Sequence, residues 1–432
     1  MKRAILSILA TAMLLGALAG CGEHGAPAGD ASATPEEQHV TIHVVTSYGG
    51  DDGNRPNYRM AIAGYEALTG NTVIDASATS SEEWKAKVAT DFETGTEPAV
   101  LFYFTGSDAS ALIAAGKVVS IEEIRAEYPD YASNMKDELL PVSTVDGKSY
   151  AVPVNGFWEG MFVNKAVLAA AGVEMPGADY TWERFLQDCQ TIKEAGFIPV
   201  AVSLQDVPHY WFEFAIYNNG NSRNHLDLPA SSGDAVGKRW VAGLEDIKTL
   251  YDAGFLPDNT LTAADAETVR LLADGEAAFL IDGNWQIGYF QENCADHLED
   301  IALTYVPCKG ERAATDLVGG ISMGYYITRK AWENPAKREA ALAFIEYMTS
   351  DEQVSIFSAT AVTALKNGVT PAAGLDALQV SAIEMCAGAT AVVGAVQDRL
   401  TPEQRGALFA DIKNIVTGAV TPVEAIDSAL SK

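Results

Sequence analysis

The sequence of 432 residues is poor in basic side chains and in histidine, and it lacks common motifs of metal chemistry. Lys and Arg total 29 against 58 Asp and Glu, and the resulting net charge of −29 repels nucleic acid. The six histidines form no His-Glu-x-x-His motif and the five cysteines form no Cys-x-x-Cys motif, which argues against a metal site or a redox centre. The Gly-x-Gly-x-x-Gly match at residues 20–25 follows no predicted strand, so it does not indicate a dinucleotide site. We therefore expect no cofactor, no metal and no nucleic-acid partner.

The first 21 residues form a targeting pattern. Lys2 and Arg3 precede Ala4–Leu18, an uncharged and mostly apolar run. This run is shorter than the about 20 residues of a membrane-spanning helix and suits a secretory signal. It ends in Leu-Ala-Gly-Cys at residues 18–21, which resembles a bacterial lipobox, where the cysteine thiol accepts diacylglycerol before cleavage. A plain signal peptide with an unrelated cysteine is the alternative interpretation.

The targeting pattern predicts how the mature chain begins. We expect residues 1–20 to be a lipoprotein signal peptide and Cys21 to be the lipid attachment site of an extracytoplasmic, membrane-anchored protein. Residues 21–39 are rich in Gly, Ala, Pro, Ser, Thr and Glu and are typical of a flexible tether. Because so acidic a chain is not attracted to an anionic leaflet, the acyl chains must hold it there.

Four cysteines lie outside the targeting pattern, and an oxidising compartment permits disulfides between them. They allow three full pairings, among which the sequence does not choose. Cys294 and Cys308 are the closest in sequence and flank a predicted turn and strand, so they are the pair that we favour. Cys189 lies at core spacing with Phe185 and Ile192, which predicts a small apolar core residue.

The chain is long enough for two lobes of about 150–200 residues each, and its first part alternates strands with helices. Val40–Thr46 alternates apolar and polar residues and Val100–Phe104 is apolar throughout, which predicts two strands. Arg59–Thr69 and Ser81–Thr94 are predicted helices, with Ser81 as an N-cap. This order is typical of an α/β fold with a mainly parallel sheet, whose ligands bind at the carboxyl ends of the strands.

Helix signals continue in the later part of the chain. Thr181 is a predicted N-cap for the helix Trp182–Ala195, which Gly196 ends. Asn334 followed by Pro335 is a predicted start of another helix. Strand patterns lie between these helices, so we predict the same α/β class for both halves of the chain.

Several aromatic residues stand beside a carboxylate or a histidine in predicted strand-end loops. A sugar offers flat C–H patches and a rim of hydroxyls, which aromatic faces and carboxylates respectively bind. A single tryptophan is more often a core residue, and we interpret the other tryptophans of the chain as packing residues. The pairs predicted to line a ligand site are Tyr48 with Asp51, Trp158 with Glu159, Trp211 with His209, and Trp285 with Asp282.

A set of short motifs resembles the extracytoplasmic solute-binding proteins of carbohydrate-uptake ATP-binding-cassette (ABC) transporters, the superfamily of maltose-binding protein. Each motif is short, and their order and spacing carry the resemblance, which runs from about Val40 to the C-terminus. The matching stretches are Asp146–Pro153, Phe162–Lys165, Thr181–Phe185, Gly275–Phe279 leading to Asp282–Trp285, and Gly319-Gly320 with the helix after Asn334-Pro335.

The resemblance implies an α/β, two-lobed periplasmic-binding-protein-like fold of type II, with the ligand cleft between lobes that hinge crossovers join. The N-terminal lobe would comprise residues 40–153 plus 309–358. The C-terminal lobe would comprise residues 158–306 plus 362–432. The residue pattern itself predicts a strand and a second crossover at residues 302–307.

The resemblance also implies roles for several site residues. Trp285 would stack on a sugar ring, and His209 stands where the family often has a stacking tyrosine. Asp108 follows a strand at which the family often has a polar group that binds hydroxyls. Trp158 and Glu159 lie at the first crossover.

The implied function is that of a substrate-binding lipoprotein of an ABC importer. It would capture a sugar or oligosaccharide by hinge closure and deliver it to the membrane permease, as a monomer and without performing chemistry. A binding protein for a non-sugar solute is one alternative. A secreted glycan-active enzyme that uses Asp51, Glu159 or Asp282 is another, and a surface adhesin or chemosensory partner is a third.

Overall fold

The computed structural model describes residues 39–50, 52–206, 208–369 and 374–432. The predicted signal peptide 1–20, the lipid attachment site Cys21, the tether up to residue 38 and the predicted site residue Asp51 lie outside the described residues. Among the described residues, no α-helix combines the length and the apolar character of a membrane span.

The first half of the described chain alternates strands with helices, as the sequence predicts. Its elements, in chain order, are β1 Thr41–Val45, α1 Arg55–Thr69, β2 Thr72–Asp75, α2 Glu82–Thr94, β3 Val100–Phe104, α3 Ser107–Ala114, α4 Ile121–Glu127, β4 Phe157–Asn164, α5 Lys165–Ala171, α6 Trp182–Glu194, β5 Ile198–Val200, α7 His209–Asn218 and α8 Ala235–Asp252.

The second half continues in the same way and ends in helices. Its elements are α9 Asp265–Ala273, β6 Ala277–Gly283, α10 Gln286–Asn293, β7 Ile301–Thr304, β8 Leu317–Gly320, β9 Met323–Ile327, α11 Arg329–Trp332, α12 Pro335–Met348, α13 Asp351–Phe357, α14 Ala377–Ala387, β10 Val392–Val393, α15 Pro402–Val416 and α16 Pro422–Leu430. Short 3₁₀ helices span Asp137–Leu139, Leu298–Asp300 and Val396–Arg399.

The predicted helix starts are confirmed by their capping hydrogen bonds. The side chain of Ser81 accepts from the backbone N–H of Trp84, and the side chain of Thr181 accepts likewise at the start of α6. Asn334 caps α12, in which Pro335 is the first residue. These caps satisfy backbone donors that have no partner within the helix, which is why the sequence marks the boundary.

The N-terminal lobe is built on a sheet of order β2-β1-β3-β9. Strands β1, β2 and β3 are parallel, and β9 joins β3 in the antiparallel direction. Buried and exposed residues alternate at the start of β1, so the side chains of Ile42 and Val44 point into a core. This core also contains Tyr58 and Tyr65 of α1 and Phe344 of α12. The predicted mainly parallel α/β sheet is thus confirmed for this lobe.

The C-terminal lobe is built on a second sheet of order β10-β8-β4-β6-β5. Strand β4 is central, with β6 on one side and β7 and β8 on the other. Both faces of this sheet are covered, so β6 is buried along its whole length. The core of the lobe contains Phe185, Phe212 and Trp240 from α6, α7 and α8.

The second crossover lies later in the chain than the sequence predicts. Strand β8 pairs with β4, with Gly319 opposite Trp158, so residues 309–320 belong with the second sheet. The assignment of residues 309–320 to the N-terminal lobe is therefore wrong, and so is a crossover at 302–307. The chain passes between the sheets at Gly320–Met323, where β8 ends and β9 begins.

Three crossovers run side by side between the sheets. The first is residues 152–157, the second Gly320–Met323, and the third follows α13 and approaches the first through Val362. The N–H of Gly156 donates to the carbonyl of Val362 at 2.6 Å. A Cβ at Gly156 would lie 2.6 Å from the carbonyl oxygens of both Gly320 and Val362, so only glycine permits this approach.

Cys189, Cys294, Cys308 and Cys386 are free thiols in the structure. The favoured Cys294–Cys308 disulfide is therefore wrong. Cys294 is fully buried instead, in the core on the α9 side of the second sheet. Cys189 is buried in the main core of the C-terminal lobe, which confirms its predicted packing role.

Candidate functional site

One edge of the second sheet gathers polar and aromatic side chains that the sequence indicates. Strands β5 and β6 are parallel and both end at this edge, whereas β4 runs in the opposite direction and begins there. Asp282 near the end of β6 pairs with Gly160, and Glu159 of β4 pairs with Gly283. Helix α7 starts after β5 at the same edge. The fold thus brings Glu159, His209, Asp282 and Trp285 to one edge, with Glu159 and Trp285 on one face of the sheet and Asp282 on the other.

Glu159 is a buried carboxyl group with an oxygen that has no protein partner. It is 2% exposed, and its Oε2 atom accepts no hydrogen bond from the described residues. Burial raises the pKa of Glu159 well above its usual value, and the negative charges of Glu213, Asp282 and Asp398 raise it further. A ligand hydroxyl would complete this group, because a buried polar atom without a hydrogen-bond partner is costly.

Asp282 is equally buried, but both of its oxygens have partners. Its Oδ1 accepts from the backbone N–H of Gly283 at 2.7 Å, and its Oδ2 accepts from Gln286 Nε2 at 2.9 Å. Burial raises the pKa of Asp282, and the neighbouring charge of Asp265 adds to the effect. These bonds fix the turn from β6 into α10, which carries Trp285.

Two aromatic rings line this edge and remain partly exposed. The rings of Tyr210 and Trp285 lie 5.6 Å apart at 37°, and the indole lies across Gly283, where a Cβ would overlap it. Burial raises the pKa of Tyr210, as do the charges of Asp282 and Glu159 after it, so its hydroxyl stays neutral. Flat rings beside carboxyl groups provide the two kinds of contact that a pyranose accepts.

His209 begins α7 and stacks on a second aromatic residue. Its ring lies 5.6 Å from that of Phe409 at an angle of 19°. Burial lowers the pKa of His209 to about 3, and the positive charges of Lys85 and Arg405 lower it further. The imidazole is therefore neutral at physiological pH and acts as a stacking group rather than as a cation.

An ion-pair cluster joins the two lobes across this site. Arg405 of α15 in the C-terminal lobe donates from Nη2 to Asp108 Oδ1 at 2.6 Å, and Glu82 lies 3.4 Å from the same nitrogen. Lys85 of α2 lies 3.3 Å from Asp108 Oδ2. Asp108 thus pairs with two cations rather than standing free for a sugar hydroxyl. Arg405 is 1% exposed, and its Nε and Nη1 have no partner among the described residues.

Two further contacts hold the lobes together. Ser107 Oγ of the N-terminal lobe donates to the main-chain oxygen of Asp398 at 3.2 Å. Gly53, which precedes α1, lies against Gly288 of α10 so closely that a Cβ on Gly288 would overlap the backbone of Gly53, while a Cβ on Gly53 would overlap the main-chain oxygen of Trp285. The structure is therefore a closed conformation, in which the lobes meet around the site.

A buried glutamate positions the segment that carries Asp398. Glu213 of α7 accepts from the N–H groups of Val396 and Gln397, both at 2.8 Å, and its Oε2 lies 3.0 Å from His225 Nε2. Burial raises the pKa of Asp398 to about 7, with Glu213 and Asp108 also raising it. Asp398 thus faces charged groups of both lobes.

Three predicted ligand platforms are core residues instead. Tyr48 is buried against Phe102, and its hydroxyl donates to Asn155 Oδ1 at 2.9 Å. Trp158 is 1% exposed and donates from Nε1 to the carbonyl of Thr360. Trp211 is buried in the core of the C-terminal lobe. Protein atoms surround these rings, so the prediction that they stack on a ligand is wrong.

Sequence reasoning missed Tyr210, Asp398, Arg405 and Lys85. Tyr210 had a usable signal, because it lies between His209 and Trp211 in an aromatic run at a helix start. Asp398, Arg405 and Lys85 gave no usable sequence signal, since a charged residue on a predicted helix is most often exposed to solvent. Only the fold brings Arg405 to Asp108, across 297 positions of sequence.

A separate cavity of about 320 Å³ lies at the opposite edge of the second sheet. It lies where β4 ends and β5 and β6 begin, with Asn164, Phe197, Asp274 and His297 in its lining. No described residue of the N-terminal lobe lines it, so a ligand there would not bridge the lobes as the structure describes them. We therefore place the candidate site at the Glu159 edge.

Two motifs of metal and catalytic chemistry can be compared with the described residues. No group of three or more His, Cys, Asp or Glu among them could hold a metal ion. A Gly-x-Ser-x-Gly match occurs at Gly320–Gly324, but it joins β8 to β9. A nucleophile elbow requires a strand followed by a helix, so this match is a crossover and not a catalytic turn.

Breaking the interlobe ion pair is expected to open the molecule. Arg405→Met leaves Asp108 buried without its closest cation, which costs about 3–5 kcal/mol in a closed form and little in a solvated open form. With saturating saccharide, small-angle X-ray scattering should then show a larger radius of gyration than for the unaltered protein. Adding Asp108→Asn should restore part of the closed population, because it removes the unpaired charge. Arg399→Met, at an exposed position, is the control; equal radii for all variants would contradict the prediction.

Comparison with known proteins agrees with the fold described above. The family model described as bacterial extracellular solute-binding protein matches residues 60–375. A comparison with curated protein sequences found no match. A chitin oligosaccharide binding protein superposes with a TM-score of 0.77 at 21% identity, over 91% of this chain and 98% of the other.

Two further solved structures have the same fold. The solute receptor AcbH, described as having an exclusive preference for β-D-galactopyranose, gives a TM-score of 0.75 at 15% identity, over 91% of this chain and 98% of that one. The GacH receptor of Streptomyces glaucescens, solved unliganded and with acarbose, gives 0.70 at 17% identity, over 91% and 97%. Both superpositions cover nearly the whole chain, which confirms the two-lobed α/β fold.

Proposed function

The chain belongs to the bacterial extracellular solute-binding protein family, and from this premise we propose that it binds a sugar or oligosaccharide between its lobes. Family membership makes it an extracytoplasmic binding protein rather than an enzyme. The ligand would leave the site unaltered, and the membrane permease of an ABC importer would receive it.

The observation that carries the proposal is the combination of ring faces and buried carboxyl groups at one edge of the second sheet. Tyr210 and Trp285 offer partly exposed rings, and Glu159 offers an oxygen without a protein partner. Rings suit the C–H faces of a sugar, and the carboxyl oxygens suit its hydroxyls. Relatives of the same fold are described as binding chitin oligosaccharide, β-D-galactopyranose and acarbose, which supports a saccharide here.

Closure of the two lobes provides the mechanism. In an open form both walls of the cleft are solvated. A saccharide that contacts both walls stabilises the closed form by its differential affinity for the two states. The unpartnered Nε and Nη1 donors of Arg405 would then bind hydroxyl oxygens, while Glu159 would accept from a hydroxyl. The permease would recognise the surface that the two lobes form in the closed conformation.

We also infer membrane attachment through Cys21. Removal of the signal residues 1–20 would leave this cysteine at the new N-terminus, where acyl chains would anchor the protein. Residues 21–39 would then act as a tether whose composition allows the folded part to stand away from the bilayer. A monomer tethered in this way suits repeated delivery to one permease.

A thermal-shift and calorimetric screen of mono- and oligosaccharides tests the function. A ligand at about 100 times its dissociation constant should add about 2.7 kcal/mol to the free energy of unfolding and raise the melting temperature. Amino acids and short peptides serve as controls and should have no effect. If a peptide or an amino acid stabilises the protein and no saccharide does, the saccharide proposal is wrong.

A further inference from the structure

A short segment of the C-terminal lobe lies against the start of α3 in the N-terminal lobe. This segment is the 3₁₀ helix Val396–Arg399, which we call the latch segment. Ser107, the first residue of α3, donates from its hydroxyl to the main-chain oxygen of Asp398 at 3.2 Å. A Cβ on Gly106 would lie 3.8 Å from the same oxygen. Because Ser107 and Asp398 belong to different lobes, this contact forms only when the lobes close.

The position of the latch segment is set by the buried side chain of Glu213 on α7. Its Oε1 accepts from the N–H of Gln397 and its Oε2 accepts from the N–H of Val396, both at 2.8 Å. The first N–H groups of a helix have no partner within the helix, so Glu213 supplies the acceptors that they need. Oε2 also lies 3.0 Å from Nε2 of His225, and both side chains are fully buried. Glu213 thus fixes the start of the latch segment from inside its own lobe.

Helix α7 connects this carboxyl group to the candidate site. Glu213 follows Tyr210 by three positions and His209 by four, so the three side chains lie along one side of the helix. The ring of Tyr210 lies beside that of Trp285 at the site. One helix therefore carries both an aromatic ring of the candidate site and the group that fixes the latch segment.

The contact of the latch segment adjoins the interlobe ion pair. Asp108, the residue after Ser107, accepts from Arg405 of α15 at 2.6 Å. Both interlobe contacts are made by protein atoms alone, so they stabilise the closed form whatever compound lies between the lobes. A buried carboxyl group that caps a helix also stabilises its own lobe, so a test must separate closure from folding.

We propose that Glu213 is a positioning residue for lobe closure, which fixes the latch segment against α3 and so slows release of the ligand without contacting it. The inference rests on the proposed binding between the lobes and adds the residue that sets the lifetime of the closed complex. Release requires the Ser107–Asp398 contact to break, whereas association begins from the open form, in which that contact is absent. Weakening the contact therefore raises the dissociation rate constant and leaves the association rate constant unchanged.

Glu213→Gln tests the assigned residue. An amide nitrogen donates instead of accepting, so the N–H of either Val396 or Gln397 loses its partner. Stopped-flow tryptophan fluorescence gives both rate constants, with D-galactose, a chitin tetrasaccharide and acarbose as probes, because relatives of the same fold are described as binding such saccharides. For the probe that binds, we expect dissociation to be about 10-fold faster or more and the association rate constant to change by less than about threefold.

A matched control and a melting curve separate closure from folding. Glu424→Gln makes the same change at an exposed carboxyl group that accepts from the backbone N–H of Thr421, and it should leave both rate constants unchanged. A purely structural role of Glu213 would lower the melting temperature of Glu213→Gln and leave its dissociation rate constant unchanged. That result would overturn the inference.

Ser107→Ala tests the same contact from the other lobe and leaves the packing around Glu213 intact. It should raise the dissociation rate constant about 3- to 10-fold. Added to Glu213→Gln it should have less than about a twofold further effect, because both changes remove one contact. Rate increases that multiply would overturn the inference. If Glu213→Gln does not fold, a dissociation rate constant of Ser107→Ala within about twofold of the unaltered protein would do the same.

The outcomes distinguish this inference from the proposed function. If a peptide or an amino acid binds and no saccharide does, the saccharide proposal is wrong. The same rate measurements with that compound then decide the role of Glu213, because the contact of the latch segment contains no ligand atom. If a saccharide binds and the variants release it at the unaltered rate, the proposed function stands and the role of Glu213 is wrong.

Discussion

Alanine in place of Trp285 is expected to weaken saccharide binding by roughly 30- to 1000-fold, which corresponds to about 2–4 kcal/mol. The indole is partly exposed, lies across Gly283 and stands 5.6 Å from the ring of Tyr210. It therefore offers a rigid apolar face at the position where the lobes meet. Removing it leaves the bound sugar ring against water and against Tyr210 alone.

Stability should change little in the same variant. Trp285 lies at the start of α10 and outside the clusters of buried apolar side chains, so its loss creates no closed cavity. Calorimetry with the best saccharide of the screen gives the affinity, and a melting curve gives the stability. Trp285→Phe keeps a ring and should lose less than about tenfold in affinity. An affinity within threefold of the unaltered protein for Trp285→Ala would remove Trp285 from the site.

A methyl group on Gly288 is expected to prevent complete closure. The Cβ would lie 2.8 Å from the Cα and carbonyl carbon of Gly53, and still closer to its oxygen. These are backbone atoms of the other lobe, so no side-chain rotation relieves the overlap. If less than about 1% of the molecules can close, the apparent affinity falls about 100-fold or more.

Scattering and calorimetry together check the effect of Gly288→Ala. With saturating saccharide, the radius of gyration should stay at the open value, whereas the unaltered protein contracts. Folding should not suffer, because alanine favours a helix over glycine by about 1 kcal/mol. Gly406→Ala is the matched control, since Gly406 also lies in a helix and a Cβ there meets no atom within 4 Å. Full contraction of Gly288→Ala would show that Gly53 and Gly288 do not limit closure.

Local signals predicted much of the fold. The boundaries of β3 and the N-caps of α2, α6 and α12 were all readable, because a cap or an apolar run acts within a few residues. The second crossover was not readable. Strand β8 has only four residues, and its apolar pattern is the same whichever sheet it joins. Pairing with β4 is a property of the whole fold.

The candidate site was predictable in part, for a geometric reason. An aromatic residue next to a carboxylate in sequence does not share its direction. Trp158 and Glu159 are adjacent on a strand, so they point to opposite faces of the sheet. His209 and Trp211 are two positions apart on a helix and also diverge. The side chains that do meet, such as Tyr210 and Trp285, come from different elements.

The three crossovers have a consequence for how the two halves of the molecule move. A single linker would let the two lobes adopt many relative orientations. Connections packed side by side at Gly156, Gly320 and Val362 leave essentially one axis of rotation. Each closure then brings the same residues of the two lobes together. The entropic cost of fixing the relative orientation of the lobes is met during folding rather than each time a ligand binds.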